Sequence, residues 1–339
     1  MADYLTMELP EQLNLAEARI ITERIIKKAI SKAAGPAAPI TRHLTSSMGK
    51  GVRSLTLLLC AADDSLTIPA DAVYLAAAVE IFHLATLVHD DIIDDSPTRR
   101  GINSVQSMFG KKNAVITGDY LLCASLSTGA KAFENDKRLQ EPGIRFKLFN
   151  KYMDSIFKIC FGEMNEVANS RNINLHPRQY LKIISGKTAE LFRVSALIGA
   201  VVSGEDIKPG RIGLIGWYLG MIFQIIDDCK DFGFNAENMQ KPIKHDAAQG
   251  VVTLPLILAM SRESAVTRLA EDIFFHGHES DELIYAVRKA GGVDMAINIA
   301  MRYSQKAEKL IDSLFSGLKR DKLHELICNA LSASTSFDS

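Results

Sequence analysis

The chain has 339 residues, of which 47% are hydrophobic and 23% charged, with a formal net charge of -1 at pH 7. This composition is typical of a globular protein and excludes a disordered or fibrous one. The near-neutral charge argues against a nucleic-acid-binding protein, because such proteins carry a basic excess or stripe. Five cysteines without a Cys-x-x-Cys pair predict reduced thiols. Neither a secretory signal nor a transmembrane segment is apparent, so we expect a cytoplasmic protein.

Helical periodicity dominates the chain from the first predicted element onward. Apolar residues recur at three- and four-residue spacing in segments such as 13–34, 72–91 and 295–318. Glycine and proline separate these segments, and strand-like alternation is nearly absent. The pattern predicts an all-α fold, a large helical bundle. No linker divides it, so we expect a single domain over 1–339, with a polar C-terminal tail from about residue 330.

Two acidic motifs of the form Asp-Asp-x-x-Asp each follow a long apolar run. The first consists of Asp90, Asp91 and Asp94. Its first and last members are four residues apart, so they share a helix face and repel one another unless a cation neutralises them. Hard cations such as Mg²⁺ prefer carboxylate oxygens and complete their shell with water and substrate phosphates. The motif therefore predicts a Mg²⁺ site.

The second acidic motif repeats this arrangement with Asp227, Asp228 and Asp231. Gly220 and Gln224 precede it on the same helix stripe, and the glycine indicates close helix packing or space for a ligand. Two such motifs around an apolar cavity suggest a diphosphate held by Mg²⁺ above a hydrophobic tail.

Cationic residues occur at points that could return to the same site. They are Lys50 and Arg53 in GKGVR, Arg99 and Arg100 after the first motif, Lys187 beside Thr188 in SGKT, and Lys241 after the second motif. Each alone is an ordinary surface charge, but arginine and lysine are also the side chains that bind phosphate oxygens. SGKT is not a nucleotide-binding P-loop, because neither the upstream glycine nor a preceding strand is present. His83, seven residues before Asp90, is equally well explained as a core residue or as a substrate contact.

Together these residues resemble the trans-isoprenyl diphosphate synthases, or polyprenyl synthetase family. The matching motifs are GKGVR, HDDIIDDSPTRRG, SGKT, FQIIDDCKDF and the tail KPIKHDAAQGVVTLP, in that order. The resemblance implies a helical bundle around a deep hydrophobic central pocket, several Mg²⁺ ions, and a homodimer. It also allows a heteromer with a small regulatory subunit, and peripheral membrane contact for product release.

The family's residue roles carry over by position. The residues implied to hold isopentenyl diphosphate are Lys50, Arg53, His83 and Arg100. All six aspartates are implied to bind Mg²⁺ that bridges the allylic diphosphate. The residues implied to contact that diphosphate are Arg99, Lys187, Thr188, Gln224 and Lys241, with Asp246 as an outer support. Val251 stands where many members have a third lysine, a function that Lys244 could replace. The catalytic set is Asp90, Asp91, Asp94, Arg99, Lys187, Asp227 and Asp228.

Product length in this family is implied to depend on the residues before the first motif. Ala85 and Thr86 are small, so a growing tail can pass them, and Phe82, a further helical turn away, is the predicted deeper floor of the pocket. We predict an all-trans product of about six to eight isoprene units, a quinone side-chain precursor, set by pocket depth. A short-chain farnesyl or geranylgeranyl diphosphate synthase is the alternative with the same motifs.

Two rival functions remain. A class I terpene cyclase shares one acidic motif and the helical fold, but it needs neither a second motif nor sites for a second diphosphate. A non-catalytic subunit usually loses aspartates from one motif, and all six are present here. A catalytic subunit that is inactive without a small partner stays compatible with the sequence.

Overall fold

The computed structural model describes residues 9–33, 35–46, 48–135, 139–204, 209–234, 250–276 and 281–332. Over these ranges the chain is almost entirely helical, which confirms the predicted all-α class. The helices are α1 Leu15–Ile30, α2 Ala38–Ser46, α3 Val52–Ala61, α4 Ala72–Ile93, α5 Val105–Phe109, α6 Lys111–Ala130, α7 Ala132–Asn135, α8 Pro142–Ala168, α9 Pro177–Ile184, α10 Glu190–Ser203, α11 Pro209–Lys230, α12 Leu254–Met260, α13 Ser264–His276, α14 Asp281–Lys289, α15 Gly292–Asp312 and α16 Gly317–Leu331. The residues of the predicted tail beyond 332 lie outside the described ranges.

Short non-α elements complete the described chain. A 3₁₀ turn spans Gly35–Ala37, and a π-helical turn spans Ser185–Ala189 between α9 and α10. The strands pair antiparallel in two minimal sheets: β1 Gln12–Leu13 with β2 Ile68–Pro69, and β3 Thr98–Arg99 with β4 Ile102–Asn103.

The chain divides into two compact units. Unit 1 comprises Met1–Lys151, Val194–Gly213 and Phe315–Arg320, and unit 2 comprises Tyr152–Arg193, Leu214–Leu314 and Asp321–Ser339. The first acidic motif belongs to unit 1 and the second to unit 2. The expectation of a single domain stays a prediction.

The core of unit 1 is organised around α4, which packs most extensively on α6. The contact is close because small residues line it: Ser125 Oγ donates to the Ala78 carbonyl at 2.7 Å, and a Cβ at Gly129 would lie 3.3 Å from the Cβ of Ala78. Most of α4 is buried, in keeping with a helix that is apolar on nearly every side. This packing fixes the helix that carries the first acidic motif.

Small residues also line the helix contacts of unit 2. A Cβ at Gly220 of α11 would lie 2.5 Å from the Cα of Ala189, so only glycine permits this approach. Gly292 of α15 similarly lies against Pro255 of α12. Gly220 is therefore explained by helix packing, the first of the two interpretations that the sequence allowed.

Two helices, Ala72–Ile93 and Pro209–Lys230, are long and apolar enough to cross a membrane by length and composition. In each, 67% of the apolar window is buried inside the protein, and core helices of globular proteins meet the same criterion. Each of these helices leads into one of the two acidic motifs.

Candidate active site

The first acidic motif lies at the C-terminal end of α4. Asp94 is the C-cap residue, and its backbone N–H donates to the Asp90 carbonyl at 2.8 Å, so the two residues lie one helical turn apart on one face. A helix C-terminus carries a partial negative charge that adds to the charge of both carboxylates. The motif is thus suited to attract a cation.

Asp91 differs from its neighbours, because it is only 3% exposed. Its Oδ1 accepts from Arg99 Nε at 2.7 Å and lies 2.5 Å from Arg99 Nη2. Burial raises the pKa of this carboxyl group, and the Arg99 contact partly offsets that rise. Gln106 adds a support that the sequence did not reveal: its Nε2 donates to the backbone carbonyls of Asp91 at 2.5 Å and Ser96 at 3.0 Å.

Arg99 and Arg100 lie on the β3–β4 hairpin. Arg100 and Gly101 form its two-residue loop with φ values of 53° and 81°, the left-handed backbone that such loops require. A left-handed arginine is uncommon and costs about 1 kcal/mol or more, so it marks a constrained segment. Gly49 lies directly against the Arg100 guanidinium, so a Cβ at this position would displace that side chain. The structure therefore brings the GKGVR segment and Arg100 together, as predicted.

Arg53, His83 and Arg100 form a cationic cluster, in which Arg53 and His83 are in direct contact. Arg53 Nη1 donates to His83 Nε2 at 2.9 Å, which requires a neutral imidazole that accepts at this nitrogen. Burial lowers the pKa of His83 well below its usual value, and Arg53, Arg100 and Arg99 lower it further. Lys50 lies exposed just before α3. All four residues predicted to bind isopentenyl diphosphate, Lys50, Arg53, His83 and Arg100, thus lie in unit 1.

The second acidic motif lies at the end of α11 in unit 2. Asp227 is exposed and lies 2.9 Å from Lys230 Nζ, while Asp231 follows the last helical residue. Asp228 is only 3% exposed, and both of its carboxylate oxygens accept hydrogen bonds. Gln224 Nε2 donates to its Oδ1 at 2.7 Å, and the Tyr180 hydroxyl donates to its Oδ2.

This hydrogen-bonded chain extends to another predicted residue. Thr188 Oγ1 donates to Gln224 Oε1 at 2.7 Å, so Thr188, Gln224, Asp228 and Tyr180 form one continuous network. The sequence singled out the first three but missed Tyr180. No local signal marks Tyr180, because its partner Asp228 lies 48 residues further along the chain.

Lys187 lies in the π-helical turn between α9 and α10. Its Nζ is 3.0 Å from Glu163 Oε2 and also contacts the carboxylate of Glu166, two residues of α8 that the sequence did not indicate. Gly162 of α8 packs against the backbone of Lys187 with no room for a Cβ. π-Helical turns often occur at functional sites. Because helices flank SGKT on both sides, the rejection of a P-loop is confirmed.

The three residues predicted to control product length lie together on α4. Phe82 and Ala85 are buried, and Thr86 is half-buried with its hydroxyl donating to the His83 carbonyl at 2.8 Å. Lys241 lies outside the described residues, as do Lys244 and Asp246.

The donor chemistry of both acidic motifs fits Mg²⁺ together with a bound diphosphate. Within the described ranges, no three His, Cys, Asp or Glu side chains form a metal site by themselves. Mg²⁺ is commonly bound through one or two carboxylates, with waters and substrate phosphates completing the shell. The carboxylate pairs Asp90 with Asp94 and Asp227 with Asp231 supply donors of this kind at helix ends.

The polyprenyl synthetase family pattern matches residues 37–291. The chain is 32% identical to heptaprenyl diphosphate synthase component 2 of Geobacillus stearothermophilus over 311 residues, 90% of this chain and 92% of that protein.

Solved structures show the same relationship. Heptaprenyl diphosphate synthase from Staphylococcus aureus matches with a TM-score of 0.84 and 31% identity, over 95% of this chain and 99% of the other. Polyprenyl synthase from Caulobacter crescentus CB15, complexed with calcium and isoprenyl diphosphate, matches with a TM-score of 0.81 and 28% identity, over 93% and 94% of the two chains. The chain belongs to the polyprenyl synthetase family and is a prenyltransferase.

Proposed function

We propose that this prenyltransferase condenses isopentenyl diphosphate with an allylic diphosphate to make an all-trans polyprenyl diphosphate of about six to eight isoprene units, a length set by pocket depth. The observation that carries the proposal is that both acidic motifs are complete and that each is held by its own hydrogen-bonded supports. A terpene cyclase needs only one such motif. The calcium and isoprenyl diphosphate bound to the Caulobacter protein support a cation-assisted diphosphate site here.

In the proposed reaction, the cationic cluster of Arg53, His83 and Arg100 holds isopentenyl diphosphate by its diphosphate group. Bound Mg²⁺ would supply Lewis-acid stabilisation of the leaving diphosphate. As the family resemblance implies, Lys187 and Arg99 supply positive charge to the leaving diphosphate as the allylic C–O bond breaks and its electron pair leaves with that group. Residues of the cluster orient the isopentenyl double bond, whose π electrons form the new C–C bond. No side-chain base is assigned, and we expect the released diphosphate to take the proton.

The small side chains before the first motif support a medium or long product. Ala85 and Thr86 place no bulky group one turn before Asp90, and Phe82 lies one further turn away. Two of the relatives above are named heptaprenyl diphosphate synthases. A product of this length suits a quinone side chain.

The test is a product assay on the purified chain with Mg²⁺, isopentenyl diphosphate and farnesyl diphosphate, read by mass spectrometry. A polyprenyl diphosphate of the proposed length supports the function. A product that stops at fifteen or twenty carbons would show a short-chain synthase and refute the argument from Ala85 and Thr86.

A second candidate is the catalytic subunit of a heteromeric synthase. The Geobacillus relative is named component 2, and α8 of this chain exposes an apolar stripe that a second subunit could cover. The stripe consists of Phe146, Phe149, Phe157, Phe161, Met164 and Val167. Native mass spectrometry combined with the product assay separates the alternatives. A homodimer that elongates alone excludes an obligatory partner, and a folded chain that binds substrate without product formation supports one.

A further inference from the structure

We propose that Glu80 is a positioning residue for the isopentenyl diphosphate site: it fixes the start of α3 and thereby the placement of Arg53. The inference rests on the proposed function, because it assumes that Arg53, His83 and Arg100 bind that substrate. Glu80 lies on α4, one turn before His83, and the sequence motifs did not single it out.

Glu80 of α4 caps the N-terminus of a different helix, α3. α3 begins after Gly51, whose backbone is left-handed with φ of 65° and which has no side chain to cap the helix. Glu80 Oε1 replaces that cap, accepting from the backbone N–H of Arg53 at 3.0 Å and of Ser54 at 2.9 Å. The first N–H groups of a helix have no partner within the helix, so these bonds satisfy two of them. Ser54 Oγ closes the same turn by donating to the Gly51 carbonyl at 2.8 Å.

The charge of Glu80 also suits this place. A carboxylate at a helix N-terminus is stabilised by the helix dipole, and its hydrogen bonds to N–H groups are strengthened by the charge. Burial lowers the pKa of the Arg100 guanidinium, and the charge of the nearby Glu80 partly offsets that lowering. It therefore offsets the mutual repulsion of the arginines while no diphosphate is bound.

The consequence for substrate binding follows from which donors remain. An uncapped helix N-terminus readily binds phosphate through its backbone amides. Because Glu80 already occupies the amides of Arg53 and Ser54, an incoming diphosphate meets the side chains of Arg53, His83 and Arg100 instead. The Arg53 guanidinium is held from both sides, by the capped backbone and by the 2.9 Å bond to His83 Nε2. Loss of the cap should misplace that guanidinium and weaken binding of isopentenyl diphosphate specifically.

The test compares Glu80→Ala and Glu80→Gln with Glu17→Gln. Glu17 is a matched control, because its carboxylate also completes a helix cap in unit 1, at α1, by accepting from Asn14 N at 3.0 Å. The measurements are the KM for each substrate, kcat, and hydrogen exchange of the backbone amides in residues 51–55.

For Glu80→Ala we expect the KM for isopentenyl diphosphate to rise about tenfold, with the KM for the allylic substrate and kcat within about threefold, and with faster exchange in 51–55. Glu80→Gln keeps an oxygen acceptor at the same place, so its KM should stay within about threefold of the wild-type value. Glu17→Gln should change neither KM.

The inference is overturned if Glu80→Ala leaves the KM for isopentenyl diphosphate unchanged, or if it raises both KM values equally. If Glu80→Ala does not fold, Glu80→Asp draws the acceptor back by one methylene and must raise the same KM. If the wild-type chain elongates nothing, the proposed function fails separately, and calorimetry with isopentenyl diphosphate alone decides this inference. Weaker binding to Glu80→Ala than to the wild type then supports it, whereas equal binding, or none to either protein, overturns it.

Discussion

Replacing Tyr180 with phenylalanine removes one hydroxyl group from the most enclosed contact of the second acidic motif. The Tyr180 ring is buried, and its hydroxyl donates to Asp228, which is itself 3% exposed. Burial, followed by the charge of Asp228, raises the pKa of Tyr180 well above its usual value, so the hydroxyl stays protonated and can only donate to this carboxylate. The substitution removes that donor and leaves the ring in place.

The size of the effect follows from the kind of bond that is lost. A hydrogen bond to a charged group contributes about 1.5–3 kcal/mol, and about 1.4 kcal/mol corresponds to a tenfold change. Gln224 still donates to Oδ1 of Asp228, so the carboxylate keeps one of its two supports. We therefore expect kcat/KM for the allylic substrate to fall about tenfold to one-hundredfold, with a higher Mg²⁺ concentration needed for half-maximal activity.

The assay is steady-state elongation at varied Mg²⁺, with Tyr303→Phe as the matched control. Tyr303 is a half-buried tyrosine of unit 2 that packs in an aromatic cluster with Trp217 and Tyr218. Circular dichroism melting of both variants separates loss of fold from loss of function. An unchanged Mg²⁺ dependence and an activity loss no larger than that of Tyr303→Phe would refute the reasoning.

Three further predictions use other contacts. Ala85→Phe should shorten the product by filling space beside the first motif, and Phe82→Ala should lengthen it. Product lengths are read by mass spectrometry. If neither variant changes the product length, this face of α4 is excluded as a length determinant. His83→Gln should flatten the pH dependence of the free energy of unfolding. The pKa of His83 is depressed in the folded state, so below about pH 6.5 the unfolded state binds more protons than the folded state. Below that pH the wild-type protein should lose up to about 1.4 kcal/mol of stability per pH unit more than the variant, as measured by urea unfolding. Gly162→Ala should lower the free energy of unfolding by about 1–3 kcal/mol and displace Lys187, because its Cβ would lie 2.7 Å from the Gly186 carbonyl carbon. Gly143→Ala on the same helix is the control, because its Cβ would meet nothing within 4 Å. Equal thermal stability and activity of the two variants would contradict this prediction.

The helices that carry the acidic motifs were predictable from the sequence because one strong local signal marks each of them. A long apolar run that ends in charged residues must be buried along its length and must reach solvent at its end. α4 and α11 meet both conditions, ending at Ile93 and Lys230. The same local reasoning rejected SGKT as a P-loop because no strand pattern precedes it, and helices flank it in the structure.

The supports of the site were not predictable in this way. Glu163, Glu166, Tyr180 and Gln106 contact predicted site residues that lie between 15 and 48 positions away along the chain. Their helical periodicity indicates only which face they share with their own neighbours, not which other helix that face meets. The π-helical turn at Ser185–Ala189 was missed for a related reason: it accommodates the close approach of Gly162, a tertiary contact with no local signature.

The geometry of the α-helix explains why both motifs have the same spacing. Residues four apart lie on one face, whereas the next residue along is rotated by about 100° away from it. Asp90 and Asp94 can therefore present their carboxylates together, while Asp91 must turn toward the protein, where Arg99 meets it. Asp228 is turned inward relative to Asp227 in the same way and meets Gln224 and Tyr180. In each motif the buried second aspartate ties the helix end to its surroundings, while the first and third aspartates lie about one turn apart on another face.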